Sequence, residues 1–181
     1  ESVLHSGLGT YGFGIQYSVG NRMADDFEVT GNWNISDIVV YGYQTNSGNT
    51  STFTGAYIQV YDGDPSAGGT VIWGDLVTNR LIETDWTGIY RVNVVNGGTA
   101  RPIMYLVCET PGLSLTPGTY WMEYSLDGTG SSGPWAPPIT INGVTTTGNA
   151  LQYTGAWGPA LDGSFQQGMP FLINGNAGGG G

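Results

Sequence analysis

The chain contains no lysine, a single histidine and a single cysteine, and its four arginines face 14 acidic residues. Lysine and arginine supply most of the affinity of proteins for phosphate backbones and anionic lipids. A formal net charge of −10 therefore argues against nucleic acid as a partner and against binding to an anionic membrane. One cysteine cannot form a disulfide within the chain, so we expect stability to come from a packed core.

The same scarcity removes the parts of common catalytic sites. His5 lies near the start of the chain, where we expect a solvated side chain rather than a catalytic base. Histidine-dependent triads and histidine zinc sites therefore lack their base or ligand, and Schiff-base enzymes and P-loops lack their lysine. Cys108 falls in the apolar run 103–108, where a buried, inert thiol is expected. We predict that the protein is not an enzyme.

Long apolar stretches are also missing. The run 103–108 is the longest, and it is too short to cross a bilayer, so we expect no membrane insertion. The sequence shows no signal peptide, but exported chains lose theirs on processing. Because the chain is lysine-free and rich in Gly, Thr, Ser and Asn, its composition is typical of secreted proteins. We expect a secreted protein, either extracellular or at the cell surface.

What is present favours β-structure. Glycine is abundant, with 32 residues, and it disfavours helix interiors, whereas the Val, Thr, Tyr and Trp of the patterned stretches favour pleated surfaces. The stretch 57–75 shows the pattern best. Side chains alternate over 57–61, the run 62–65 (DGDP) stops the strand, and an extended stretch resumes at Thr70, which predicts a hairpin.

Similar stretches recur at intervals of about 8–15 residues, as in β-sandwiches and jelly rolls. The further predicted strands cover residues 13–18, 23–29, 33–41, 77–83, 89–95, 103–110, 120–126, 139–141, 150–153 and 170–173. Residues 84–88 are predicted to join two of them, and Pro111-Gly112 to end a third. We predict an all-β fold, an antiparallel β-sandwich of jelly-roll type spanning residues 1–175, followed by a glycine-rich tail or linker at 176–181.

Five segments of the sequence together carry a resemblance to known proteins. They are residues 22–27 (RMADDF), 61–75 (YDGDPSAGGTVIWGD), 133–138 (GPWAPP), 147–153 (TGNALQY) and 166–171 (QQGMPF). With them the chain resembles uncharacterised β-sandwich modules of secreted, often multidomain bacterial proteins, over roughly residues 10–175. The resemblance implies an extracellular accessory or surface role, and it places no catalytic residue.

A cluster of carboxylates marks the central hairpin. Asp62 and Asp64 lie on its tight loop, and Asp75 closes it. Hard oxygen ligands at this density suit Ca²⁺, so we name these three residues as a calcium site. EF-hand spacing is absent, and Asp is also an ordinary turn residue, which gives the alternative explanation. Weaker candidates for the same ion are Asp25, Asp26 and Asp127.

Asp25 is unusual because alternation places it on the apolar face of its predicted strand, with Met23 and Phe27. A buried carboxylate needs a partner. Arg22 or Ca²⁺ could serve, and exposure at the end of the strand is the alternative.

Six tryptophans and eleven tyrosines suggest carbohydrate as a ligand. Trp135 and Trp157 fall in Pro/Gly-rich loops, and Tyr153 lies close to the second of them. Flat rings with amides nearby suit stacking against sugars, whereas packing beneath the loops would explain the same residues. We name Trp135, Trp157 and Tyr153 as candidate ligand-binding residues.

Three functions follow as hypotheses. The first is a non-catalytic structural or adhesive module that associates with neighbouring copies or with other extracellular protein domains through unpaired strand edges. The second is a carbohydrate-binding module for polysaccharide. The third is a glycosidase with a carboxylate pair, although solvated strand faces also explain its candidate residues. These candidates are Glu28, Glu83, Glu109 and Glu123.

Overall fold

The computed structural model describes residues 2–3, 5–93 and 95–177 of the chain. Across these residues the chain forms fifteen β-strands and two short 3-10 helices, Tyr17–Val19 and Pro65–Ala67. The strands are β1 Ser2–Val3, β2 Phe13–Gly14, β3 Arg22–Val29, β4 Trp33–Gly42, β5 Phe53–Tyr61, β6 Val71–Asp75, β7 Leu81–Val92, β8 Pro102–Leu115, β9 Gly118–Gly128, β10 Trp135–Ala136, β11 Leu151–Tyr153, β12 Trp157–Pro159, β13 Leu161–Asp162, β14 Phe165–Gln166 and β15 Phe171–Ala177. No helix in this part of the chain has the length and apolar character needed to cross a membrane.

Two large sheets organise these strands. A five-stranded sheet has the order β1-β7-β8-β4-β15, and a six-stranded sheet has the order β12-β11-β3-β9-β5-β6. Two-stranded sheets, β10-β2 and β13-β14, accompany them. Except for the parallel pair β1-β7, the strands pair antiparallel. The prediction of an all-β protein with antiparallel sheets is confirmed.

Apolar side chains from both large sheets form one core. Alternation along each strand sends every second side chain to the same face, and these side chains belong to a single buried cluster. Central members with no more than 1% exposure are Ile38, Met104 and Leu106 from the five-stranded sheet, and Ile58, Val60 and Met122 from the six-stranded sheet. Burying each such side chain stabilises the fold by about 1.5–3 kcal/mol.

The order of the strands interleaves the two sheets. β3 lies in the six-stranded sheet, β4 in the five-stranded sheet and β5 again in the six-stranded sheet. β8 and β9, separated by only two residues, also belong to different sheets. Because the chain crosses between the sheets at these points, strands that are neighbours in sequence contribute to the core from both sides.

One predicted strand pair is a single strand. Residues 77–83 and 89–95 were expected to pair through a connection at 84–88, but β7 runs without interruption through Leu81–Val92. Its register against β8 shifts between Trp86 and Tyr90, and Gly88 has a φ of +84°. Gly88, which the sequence suggested as a turn residue, therefore lies in a β-bulge and adopts its positive φ.

Pro111 does not end its strand either, because β8 continues to Leu115. The register between β4 and β8 shifts between Ile35 and Asp37, and Pro111 lies in this irregular part. A proline has no N–H for the ladder, and a bulge is one of the few places in a sheet that accepts one.

β15 extends to Ala177, so residues 176 and 177 continue the strand where a glycine-rich tail or linker was expected. Gly175 approaches β4 closely, and a Cβ at this position would collide with the backbone carbonyl of Asn34. Residues 178–181 of the predicted tail lie outside the described part of the chain.

Candidate functional site

Two of the predicted ligand-binding residues lie together on the six-stranded sheet. Tyr153 in β11 pairs with Trp157 in β12, and their ring centres lie 5.3 Å apart in an edge-to-face arrangement. Arg22 in β3 lies opposite Tyr153, with its guanidinium carbon 3.8 Å from the centre of the tyrosine ring. These three side chains form what we call the Arg22 aromatic cluster.

A buried carboxylate holds Arg22 in place. Glu123 in β9 is completely buried, and its Oε1 forms an ion pair with the Nε of Arg22. Its Oε2 accepts hydrogen bonds from Gln59 Nε2 and from the Tyr61 hydroxyl, each at 2.5 Å. Burial, followed by the hydrogen bond to Glu123, raises the pKa of Tyr61 above its usual range, which keeps this hydroxyl protonated as a donor. The cluster therefore rests on an ion pair whose carboxylate oxygens are both bonded.

This geometry limits how a ligand could use the cluster. The Arg22 guanidinium covers one face of the Tyr153 ring, so that face is occupied from within the chain. Trp157 is partly buried and packs against a small cluster formed by Ala24, Trp121 and Leu151. The Arg22 guanidinium carbon also lies 5.9 Å from the centre of the Trp157 ring, so a sugar bound here would contact the part of this indole that stays exposed.

Trp135 lies elsewhere. It belongs to β10, which pairs with β2, and its backbone exchanges hydrogen bonds with Tyr43 at 2.9 and 3.0 Å. Its indole Nε1 donates to Ser132 Oγ at 3.3 Å. In the part of the chain that the structure describes, no ring contact joins Trp135 to Tyr153 or Trp157. The structure thus brings together two of the three predicted residues, and it adds Arg22, which the sequence analysis considered only as a partner for Asp25.

The three predicted calcium ligands stabilise turns. Asp64 accepts from the backbone N–H and the hydroxyl of Ser66, both at 2.6 Å, and Asp62 accepts from the N–H of Thr70 at 2.7 Å. Asp75 accepts from the N–H groups that follow it, at 2.8 and 2.6 Å, which lowers the pKa of this carboxyl. Among the described residues, no group of three or more acidic, histidine or cysteine side chains lies close enough to share a metal ion. Calcium binding stays a prediction.

Asp25 does point into the protein, as alternation indicated, and it is only 5% exposed. Its Oδ2 accepts a hydrogen bond from the backbone N–H of Met169 at 2.6 Å, and its Oδ1 accepts from Asp26 N at 3.0 Å. Two explanations considered for Asp25 are therefore wrong. Its low exposure rules out a solvated strand end, and Arg22 pairs instead with Glu123 on the other face of the sheet.

The glutamates considered for a glycosidase lie on both large sheets. Glu28 and Glu123 belong to the six-stranded sheet, and Glu83 and Glu109 belong to the five-stranded sheet. Glu123 is buried, whereas the other three are exposed.

A broad concave surface, which we call the outer groove, was not predicted from the sequence. It has a volume of about 920 Å³ and crosses the five-stranded sheet from β15 to β7. Its floor includes Tyr41 and Ile103, which point away from the core because they alternate with the core residues Val40 and Met104. None of the residues that line it is charged. Its lining includes Ile89, Pro138, Phe171 and Leu172.

β15 forms one edge of the same sheet and pairs with β4 on one side only. It has seven residues, FLINGNA, without a charge or a proline. Leu172 is 54% exposed on this edge. The apolar run 170–173 indicated a strand, but its position at an edge depends on the order of strands that are distant in sequence.

Comparison of the chain with protein-family models, with curated proteins and with solved structures found no significant match. The resemblance to secreted bacterial β-sandwich modules therefore stays a prediction. We infer function from the arrangement of the described residues.

Proposed function

We propose that this chain is a non-catalytic extracellular module, structural or adhesive, that associates with neighbouring protein subunits or surfaces through the edge of β15. We also propose that its two large sheets form a sandwich of jelly-roll type. The observation that supports association most strongly is the unprotected edge that β15 presents beside the outer groove.

Natural edge strands are commonly protected by lysine, proline, bulges or a covering element. The first four residues of β15, Phe171 to Asn174, follow β4 in unbroken register, and the irregularity comes only after them. This part of the edge is regular and uncharged, and an added strand would find backbone donors and acceptors there. Each hydrogen bond so formed would contribute about 0.5–1.5 kcal/mol, so a short edge supports reversible association.

The test compares the wild-type protein with Leu172→Lys, which places a charge on the exposed edge. Leu161→Lys is the matched control, because Leu161 is 42% exposed but lies in the separate β13-β14 sheet. We expect the average mass in sedimentation equilibrium to rise with protein concentration for the wild type and the control, and to stay lower for Leu172→Lys. A wild-type protein that remains monomeric, and that also binds none of the peptides described in the next section, would contradict the proposal.

A carbohydrate-binding module is the second candidate, and the Arg22 aromatic cluster is the observation that favours it. Because Trp135 lies apart from Tyr153 and Trp157, the two tryptophans can be tested separately. If polysaccharide binds at the cluster, Trp157→Ala should abolish retention on the polysaccharide and Trp135→Ala should leave it intact. Retention that survives Trp157→Ala, or a screen in which no polysaccharide binds, would remove the support for this candidate.

Calcium at Asp62, Asp64 and Asp75 is a separate proposal. A ligand that binds only the folded state raises the melting temperature. Replacing EDTA with Ca²⁺ should therefore raise it for the wild type and raise it less for Asp64→Asn. An unchanged melting temperature would count against the site.

A further inference from the structure

The outer groove and the carboxylates beside it lie on one face of the five-stranded sheet. Residues directly opposite each other in neighbouring strands project to the same side. Tyr41, which lines the groove, lies opposite Tyr105 in β8, and Tyr105 lies opposite Asp85 in β7. Thr87, two residues after Asp85, also lines the groove. Two residues of a strand span about 7 Å, so Asp85 lies about that far from Thr87 at the groove wall.

The next rows of the sheet carry more acidic side chains on the same face. Val39 lies opposite both Leu172 and Val107, and Val107 lies opposite Glu83. In the following row, Glu109 lies opposite Asp37. Glu83, Asp85 and Glu109 are exposed, and Glu83 accepts a hydrogen bond from the Tyr105 hydroxyl at 2.7 Å. The apolar groove and three exposed carboxylates, which we call the acidic strip, thus lie on the same face of the sheet, and Asp85 is the carboxylate nearest to the groove in the register.

Within the described part of the chain, no arginine forms an ion pair with these carboxylates. Arg22 pairs with Glu123, and Arg80 lies 3.8 Å from Asp75. Arg91 is completely buried and donates to backbone carbonyl oxygens, including that of Tyr11 at 2.9 Å, while Arg101 stacks on the Tyr11 ring. Since each arginine already has a contact within its own chain, a second copy presents few available cations to the acidic strip. The net charge of −10 also opposes a second copy laid across this face, as distinct from one that pairs with the edge of β15.

We propose that the outer groove binds an extended segment of a different protein, with apolar side chains in the groove and lysine or arginine side chains over Glu83, Asp85 and Glu109. This inference rests on the proposed association with neighbouring proteins and names the chemistry of the partner. From β15 to β7 the groove crosses three strand spacings, about 14 Å, which four or five extended residues would span. Charge complementarity selects the partner, and apolar contact retains it.

The probe is a fluorescein-labelled peptide with four apolar residues flanked by two lysines at each end. Matched peptides carry glutamine or glutamate in place of the lysines. In fluorescence anisotropy at low salt, we expect the lysine peptide to bind about ten-fold more tightly than the glutamine peptide, a difference of about 1.4 kcal/mol. This preference should shrink as salt is added, because exposed charges are screened.

Variants then locate the site. The triple replacement Glu83→Gln, Asp85→Asn and Glu109→Gln should weaken the lysine peptide about ten-fold and leave the glutamine peptide unchanged. Its matched control removes three carboxylates from the six-stranded sheet and should retain the preference; it carries Asp26→Asn, Glu28→Gln and Asp127→Asn. Ile89→Asn, in the groove wall, should weaken both peptides, whereas Val77→Asn, at a residue 79% exposed outside the groove, should weaken neither.

The outcomes separate this inference from the proposed function. Equal binding of the lysine and glutamine peptides, or tightest binding of the glutamate peptide, would overturn the cationic partner and leave protein association standing. Failure of all three peptides, with self-association that Leu172→Lys still abolishes, would also overturn the inference alone.

Discussion

Asp25 should make the protein more stable in mild acid than at neutral pH. Its carboxylate lies on the core face of β3, only 5% exposed, with hydrogen bonds from Met169 N and Asp26 N. Burial raises its pKa from 3.8 to about 6, because desolvation outweighs the two backbone hydrogen bonds, and the charge of Asp26 adds to the rise. The hydroxyl of Tyr124, also buried, is the other titratable group near this carboxyl.

The sign and size of this pH dependence of the free energy of unfolding follow from proton linkage. Between about pH 6 and 3.8 the folded state binds a proton that the unfolded state does not, so lowering the pH stabilises the fold. This contribution is fully present below 3.8 and is lost as the pH rises through 6. A pKa difference of about two units corresponds to about 3 kcal/mol in total, of which about 2 kcal/mol develops between roughly pH 7.5 and 4.5. The lowered pKa of Asp75 acts in the opposite direction, but only below 3.8.

Urea denaturation at a series of pH values measures the effect for the wild type, Asp25→Asn and Asp26→Asn. The free energy of unfolding of the wild type, relative to Asp25→Asn, should rise by about 2 kcal/mol over that interval. Asp26→Asn is the matched control and should keep most of the slope, since Asp26 is the smallest contributor to the raised pKa. A difference between the wild type and Asp25→Asn that stays flat with pH, or that falls towards acid, would refute the reasoning.

Three other perturbations test the packing directly. Arg22→Met leaves the carboxylate of Glu123 buried without its cation, so we expect the free energy of unfolding in urea to fall by about 3–5 kcal/mol. Adding Glu123→Leu should restore much of this stability. A fall of less than about 1 kcal/mol for Arg22→Met would contradict this. Cys108 is completely buried, and burial raises the pKa of its thiol to about 12, so a thiol reagent should react only as fast as the protein unfolds, and prompt reaction would be the contrary result. Gly175→Ala should lower the free energy of unfolding by about 1–3 kcal/mol, because the added Cβ meets the backbone of β4. Gly31→Ala, at an open position, should lower it by less than about 0.5 kcal/mol. Equal losses for the two variants would count against the close approach.

Local alternation predicted the β-structure because side chains on the same face of a strand lie two residues apart in the sequence. Ile58 and Val60, assigned to one face of the central hairpin, are both completely buried. The same rule placed Asp25 on the core face, where it lies. Turn signals were less reliable. The glycine at position 88 and Pro111 both indicated breaks, but bulges accommodate them within long strands, because a neighbouring strand holds the chain extended on either side.

The candidate sites depend on strand order, which a single sequence does not encode locally. Arg22 meets Glu123 because β3 and β9 are neighbours in the sheet, although 101 positions separate the two residues in the sequence. The partner of Asp25 is likewise the N–H of Met169, 144 residues away. A sequence signal did exist for Tyr153 and Trp157, whose short separation fits a hairpin, whereas Trp135 carried no information about which sheet it would join.

The two sheets differ in how they use charge on the faces turned away from the core. On the six-stranded sheet, Arg22 neutralises Glu123, and the aromatic rings of Tyr153 and Trp157 surround the pair. On the five-stranded sheet, exposed carboxylates share a face with an apolar groove, and no arginine among the described residues forms an ion pair with them. Asp26 and Glu28 on the six-stranded sheet are also without an ion pair to any residue that the structure describes, so unpaired charge alone does not distinguish the two faces. Coulomb attraction retains a cationic segment best where an apolar groove on the same face adds contact. If this chain recognises a cationic protein segment, the five-stranded sheet is therefore the face that does so.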